Sequence, residues 1–599
     1  MSQGAVNNRV SASGVGLNLG SWDSYTPDEP MIDQFKRAKA WLTQCQPWAD
    51  PSCKGFENGA GNFDTREQGK LDLDEQGWVR SLPSTNDATV KYRMVSALLF
   101  DGDGDARPAG RYVVLYDGKG TLEYSLAGKR VAGESRPGRD VVEVSADAKA
   151  SLLISLRATD PKNHLRNIRV LPPGGVCEQA ADTVVPGPAA CRDGGRGSFV
   201  PFEKLLASQR WHPRYLKDLT GFRALRFLDW TRTNDSKLVS WNDRPRMESA
   251  VWSGEHGVPV EAMVDLANAS RTDPWINLPT RADDDYARQF ARTVKSQLAR
   301  PRTLYLEYGN EPWNYAFSNS HWIKDQVATR WPGGRAPAGQ DAYTLAANWY
   351  AWRAAHLCGI VKAEFGADAA RVRCVANAQA ANPWNADQVL ACPLAAPVLG
   401  KPCNKIFDGL AVAPYFGGYL ADAKAHELGS SWLREPDGGL TRLFDEILAQ
   451  RDGKAVPPPL QGRVTEGAAK GALSQAAAWI VGAKAVADRH GLPLLAYEGG
   501  QHLTLPPGPL DDNWLKLLIA ANRDPRMGQA YARHLADWRS AGGQLFMFYS
   551  HVSRPGPYGF WGLKSSQAAD ADPKWRAALA YRDDTPCWWR GCMPAGTAP

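Results

Sequence analysis

The chain has 599 residues, 43% of them hydrophobic and 22% charged, and carries a formal net charge of +6. That length exceeds what one hydrophobic core usually serves, so at least two domains are expected. The mild charge and the lack of a Lys/Arg block argue against a nucleic-acid partner, and no apolar run is long enough to span a bilayer. In chain order, residues 14–20 alternate apolar and small side chains and read as a first buried strand. Residues 32–43 follow with Phe35, Ala38 and Leu42 at helical spacing, so residues 1–68 are expected to supply a first strand and helix.

Between residues 69 and 173 the texture changes. Six short strands are expected at 90–100, 111–116, 120–126, 141–144, 150–156 and 168–171, separated by Gly, Pro and Asp turns. No helix intervenes, which is the pattern of a β-sandwich. Asp101-Gly-Asp-Gly-Asp105 resembles a calcium loop but lacks the later glycine and closing Glu, so a tight turn is expected. Residues 174–200 are rich in Gly and Pro and read as a linker tied by Cys177 and Cys191.

From residue 201 to 583 strands alternate with helices. Strands are expected near 224–230, 274–278, 303–308, 372–376, 410–416, 492–497 and 544–550. With the first strand they number eight, the pattern of an α/β (β/α)8 TIM barrel carrying an inserted all-β sandwich domain. Residues 584–599 are left as a C-terminal tail.

The ten cysteines fall into near-neighbour pairs: Cys45/Cys53, Cys177/Cys191, Cys358/Cys374, Cys392/Cys403 and Cys587/Cys592. Five short-loop disulfides and an oxidising compartment are expected, so the protein is read as secreted or periplasmic. The start, Met1-Ser-Gln-Gly4, lacks a charged region followed by an apolar one, as in a mature form with a replaced start. No Cys-x-x-Cys pair or His-x-His set closes a strand, so no metal and no cofactor is expected.

Two strands end on carboxylates. The run 303–313 stops at Asn310-Glu311-Pro312, because proline cannot donate a ladder hydrogen bond. Residues 492–497 deliver Glu498 in the same way, ahead of Gly499-Gly500. Two carboxyl groups at the carboxyl ends of barrel strands suit glycosidic bond hydrolysis, with one protonated and one ionised. Tyr308, Pro312 and Trp313 are expected to surround Glu311 with apolar surface and keep its proton, which suits the acid. Tyr497 and the Gly499-Gly500 peptide groups are expected to hold Glu498 ionised, which suits the nucleophile.

Strand alternation turns Glu307 to the same face as Glu311, where a buried carboxylate needs a partner; Arg226 is the candidate, in a supporting ion pair. Trp313 and Trp561 stand beside the two strand ends and are expected to stack on sugar faces. Asp229 and Trp230 end the second strand and are candidate substrate contacts, and His502 either lines the site or sits on a surface loop.

These motifs resemble those of the clan A retaining glycoside hydrolases: an Asn-Glu-Pro ending the fourth strand and a Glu ending the seventh. The resemblance implies that Glu311 is the acid/base, Asn310 a ligand of the sugar 2-hydroxyl and Glu498 the nucleophile. It implies further that Tyr415, after the sixth strand, touches the nucleophile and that Trp561, after the eighth, forms an aromatic platform. The chain is also similar to a group of secreted bacterial proteins that share the sandwich insertion and the Tyr-Glu-Gly-Gly-Gln-His stretch of residues 497–502. The expected partner is a polysaccharide or oligosaccharide. A carbohydrate-binding protein on a barrel scaffold and a transglycosylase remain as alternatives.

Overall fold

A computed structural model describes residues 13–46, 53–54, 56, 60–84, 87–102, 107–146, 151–456, 460–465, 470–589 and 592. Two compact units make up the chain: one of Met1–Gly20, Leu219–Arg244 and Val260–Pro599, the other of Ser21–Asp218 and Pro245–Pro259.

The first unit is a closed barrel of eight parallel strands. They are β1 (Val15–Asn18), β2 (Ala224–Arg226), β3 (Asp273–Leu278), β4 (Leu304–Tyr308), β5 (Val372–Asn377), β6 (Gly409–Val412), β7 (Leu494–Ala496) and β8 (Phe546–Phe548). Leu17 of β1 stands opposite Leu225 of β2 on one side and Phe548 of β8 on the other, which closes the ring. Every residue of β1, β2, β3, β6, β7 and β8 is buried. Strands covered on both faces read as continuous apolar runs, which is why the alternation was visible in the sequence.

Helices return the chain between strands, and their starts are written in side chains. Asp283 caps Asp284–Gln297, Asp341 caps Ala342–Phe365, and Asp524 caps Pro525–Ser540, each accepting backbone N–H groups of the first turn. Inside the barrel Ala224, Trp275, Val375, Ala411, Leu495 and Met547 pack together, with Trp313 and Trp589 packed against the cluster. The described residues of the segment expected as a tail therefore pack with this unit; Trp588 donates its indole N–H to the Gly543 carbonyl at 2.8 Å.

The second unit holds two four-stranded antiparallel sheets. Lys39–Gln44, Met94–Leu99, Leu152–Thr159 and Gly120–Leu126 form one; Arg166–Leu171, Gly110–Asp117, Arg139–Val144 and Gly128–Arg130 form the other. Phe35, Trp41, Trp78, Tyr112, Val142 and Ile154 lie in its core.

The helix expected over 32–43 is instead a 3-10 turn, Gln34–Arg37, followed by a strand. Leu42, Thr43 and Gln44 pair with Ser96, Val95 and Met94, so long-range pairing overrides the helical spacing. The linker expected at 174–200 is also structured: Gly175–Cys177 pairs with Ala180–Val185 and Phe199–Pro201. The units accordingly divide near residues 20 and 218, and not at the change of texture at 69. Asp103 to Asp105 of the expected calcium-like turn lie outside the described residues.

All five disulfides form in the expected pairing, with Cα–Cα separations from 5.5 to 5.9 Å. Among the described residues no helix is long and apolar enough to cross a membrane.

Candidate active site

The carboxyl end of the barrel gathers a polar cluster around Arg226, the last residue of β2. Its side chain is 0% exposed. All five of its N–H groups are engaged. Nε and Nη2 grip Glu307 at 2.9 Å each, Nη1 reaches Glu498 at 2.7 Å and Asn18 at 3.0 Å, and Nη2 also reaches Asn310 at 2.9 Å. Glu307 in turn accepts from Trp275 Nε1 at 2.7 Å and Asn377 Nδ2 at 2.8 Å. A buried guanidinium and carboxylate are tolerable only when so fully bonded. Burial pulls Arg226 down, but Glu307 and Glu498 more than offset it and hold the guanidinium above its ordinary range.

Glu498 follows β7 and is 6% exposed. Its second oxygen accepts from the Tyr415 hydroxyl at 2.8 Å. The sequence pointed to an ionised carboxylate here; instead Glu498 is pushed up to about 8. Burial is the largest cause; Arg226 opposes it, the like charge of Glu311 adds to it, and the Tyr415 hydrogen bond opposes it. Tyr497, expected as a donor to Glu498, donates to Glu311 Oε1 at 2.9 Å.

Glu311 stands past the end of β4 with φ +40°, in the left-handed region that a non-glycine residue occupies only under constraint. Gly309, at φ +63°, begins the turn that throws it outward. Asn277 Nδ2 holds the Gly309 carbonyl at 2.9 Å. Asn314 Nδ2 donates to Glu311 Oε2 at 2.9 Å, so the carboxyl group meets two polar donors where apolar surface was expected. Tyr308 is not part of that surrounding. Its hydroxyl donates to the Thr280 carbonyl at 2.6 Å and its ring stacks on Tyr350.

Asn310 is buried. Besides accepting from Arg226, it donates through Nδ2 to Asn234 Oδ1 at 2.9 Å. A cleft of about 430 Å³ opens beside Glu311, within the size range of small-molecule sites. Trp313, Tyr315, Gln379, Tyr415, Trp479 and His502 are among the residues on its wall. His502 Nδ1 accepts from Trp561 Nε1 at 3.3 Å, and burial pushes the imidazole below its ordinary value. Trp561 also packs edge-on against Tyr549, whose hydroxyl donates to Asp229 at 3.3 Å. Burial and the neighbouring carboxylates keep Tyr415, Tyr497 and Tyr549 well above the ordinary tyrosine value, as donors.

Trp230 is a correction. It is 0% exposed, its N–H goes to the Gly20 carbonyl at 3.0 Å, and its ring packs edge-on against Phe227, so it has no face to offer a substrate.

Sequence reasoning missed Asn18, Asn277, Asn314, Asn377, Tyr549 and Trp479. Asn18 bridges β1 to β7 and β8 through the Tyr497 and Phe548 carbonyls, at 2.9 and 3.2 Å. A signal existed for three of them: Asn18, Asn277 and Asn377 each interrupt an apolar strand at or near its carboxyl end, where a buried amide needs partners. Nothing in the sequence pointed Trp479, on a helix, towards the cleft. Among the described residues no three His, Cys, Asp or Glu side chains stand together as metal ligands.

No family model matches the chain, and no curated protein matches it. Among solved structures, the chain is similar to a Bacteroidetes-affiliated GH5 cellulase linked with a polysaccharide utilization locus, at 12% identity over 62% of this chain and 83% of that one, with a TM-score of 0.34. It is also similar to a 4-O-α-L-rhamnosyl-β-D-glucuronidase from Fusarium oxysporum, at 13% identity over 61% of this chain and 62% of that one (TM-score 0.33). A third is a Bacteroides ovatus GH5 xyloglucanase, at 8% identity over 82% of this chain and 96% of that one (TM-score 0.30).

Proposed function

We propose that this protein is a glycoside hydrolase that cleaves an extracellular polysaccharide or oligosaccharide by retaining double displacement. One observation carries the reading. The carboxyl groups that follow the fourth and seventh barrel strands sense each other's charge, and each accepts from a tyrosine of one aromatic-walled cleft, Glu311 from Tyr497 and Glu498 from Tyr415. The five disulfides support an oxidising compartment for it.

In this mechanism Glu498 attacks the anomeric carbon while Glu311 gives its proton to the departing glycosidic oxygen. The glycosyl–Glu498 ester is then hydrolysed by a water whose proton returns to Glu311. Attack needs ionised Glu498. Burial and the Glu311 charge work against that form, whereas Arg226 and Tyr415 favour it. A proton on Glu311, which the acid role requires, removes the opposing charge at the moment the nucleophile must be free. Asn310, fixed by Arg226 and Asn234, keeps one amide hydrogen for a sugar hydroxyl.

The test is product analysis over a polysaccharide panel with the wild type, Glu311→Gln and Glu498→Gln. Reducing ends are expected from the wild type alone, and NMR of the first product should show retained configuration. On aryl glycosides whose leaving group needs no proton, Glu311→Gln should keep the first step and Glu498→Gln should lose it. Binding without release of reducing ends would leave a carbohydrate-binding protein, and products longer than the substrate would mark transglycosylation.

A further inference from the structure

Resting on that reading, we propose that the cleft selects uncharged sugar units and excludes uronic acids from the position beside Glu311. The exclusion is electrostatic and begins with what the wall carries. Among the described residues that line the cleft, no Lys or Arg is present. The cation beneath it, Arg226, has no N–H left for a ligand, because Glu307, Glu498, Asn310 and Asn18 take all five. One guanidinium therefore faces two carboxyl groups, Glu307 and Glu498. Asp229 adds a further carboxylate nearby: Tyr549, whose ring lies 6.5 Å from that of Tyr415, donates to it.

His502 does not supply the missing positive charge. Its Nδ1 accepts the Trp561 N–H, which fixes the neutral tautomer with hydrogen on Nε2, and burial disfavours the imidazolium. What the wall does offer is chemistry for a neutral sugar. Trp313 and Trp479 present aromatic surface for C–H faces, and Gln379 and the hydroxyl of Tyr415 present both donor and acceptor capacity for hydroxyl groups. A carboxylate at C6 entering this space would give up water and find no fixed cation. A carboxylate desolvated without a partner loses about tenfold or more in affinity.

The experiment uses the intact protein and sugar pairs matched in ring stereochemistry and linkage: gluco-, manno- and galacto-oligosaccharides and their C6-oxidised uronate counterparts. Both kcat/KM and, with Glu311→Gln, binding by calorimetry are measured. For the pair that the enzyme accepts, the uronate member should be about a hundredfold or more poorer in kcat/KM, and poorer in binding. Equal or better use of the uronate overturns the inference, whether or not any bond is cut. Selective binding of the neutral member without cleavage overturns only the hydrolase reading, and no binding of any pair overturns both. A second variant, Gln379→Arg, places a cation on the wall. It should narrow the discrimination at least tenfold, an effect that packing damage alone would not produce, and an unchanged ratio would count against the charge argument.

Discussion

At the scale of single residues, the cluster at the barrel mouth separates chemistry that the sequence displays from chemistry that only neighbours create. Glu311 and Glu498 could be found because Pro312 and the Gly499-Gly500 pair mark where their strands must stop. Their surroundings could not be read the same way. Tyr497 adjoins Glu498 in the chain yet donates to Glu311, and the donor that does reach Glu498 is Tyr415, 83 residues away. Two variants should move Glu498 in opposite directions. Tyr415→Phe removes a hydrogen bond that favours the ionised form, so the group should rise further above about 8. Glu311→Gln removes a like charge that opposes ionisation, so it should fall. Each displacement should be about one pH unit, read by carbon NMR of the labelled carboxyl group. Shifts of the same sign in both variants would mean that the two groups do not sense each other through charge.

At the scale of elements, the barrel strands were legible and the segment 32–43 was not, for one physical reason. A parallel strand buried on both faces must be largely apolar, whatever its neighbours are. Phe35, Ala38 and Leu42 show helical spacing, yet Lys39–Gln44 is held as a strand by Met94–Leu99, more than 50 residues further on. The same limit hid Gly175–Cys177 and its partners, where Gly and Pro content suggested a linker. The glycines after Glu498 have a use beyond stopping β7. A Cβ on Gly499 would lie 2.4 Å from the ring of Phe546, which is fully buried on β8, and Gly500 sits at φ +132° with Tyr531 Oη 2.6 Å from the place of its Cβ. Gly499→Ala must therefore displace a packed ring or the backbone that carries Glu498. It should cost about 1–3 kcal/mol in denaturant unfolding, with activity falling more than the unfolded fraction explains. Wild-type stability in that variant would show that β7 and β8 have slack at this end.

At the scale of the whole molecule, the count of eight strands was readable from alternation alone, but the division of the chain was not. Residues 21–68 and 174–218 belong with the sandwich because of contacts made far along the chain, and texture reports only the local sequence. Burying a carboxyl group in the barrel also has a global consequence that stability measurements can detect. Glu498 is pushed from its ordinary value of 4.5 up to about 8. Between those limits the unfolded chain has released this proton while the folded chain still holds it. Folding therefore binds a proton, and the contribution of Glu498 to stability falls as pH rises through that window, levelling off beyond about 8. Gln at this position has no proton to lose. The stability of Glu498→Gln relative to wild type should be unaffected by this term near pH 4 and should improve with rising pH, reaching up to a few kcal/mol by pH 8 to 9. Calorimetric Tm values of the two proteins across pH 4 to 9 measure the difference directly. A Glu498→Gln Tm that falls relative to wild type with rising pH would mean that Arg226 and Tyr415 outweigh burial, and that Glu498 is ionised in the resting fold.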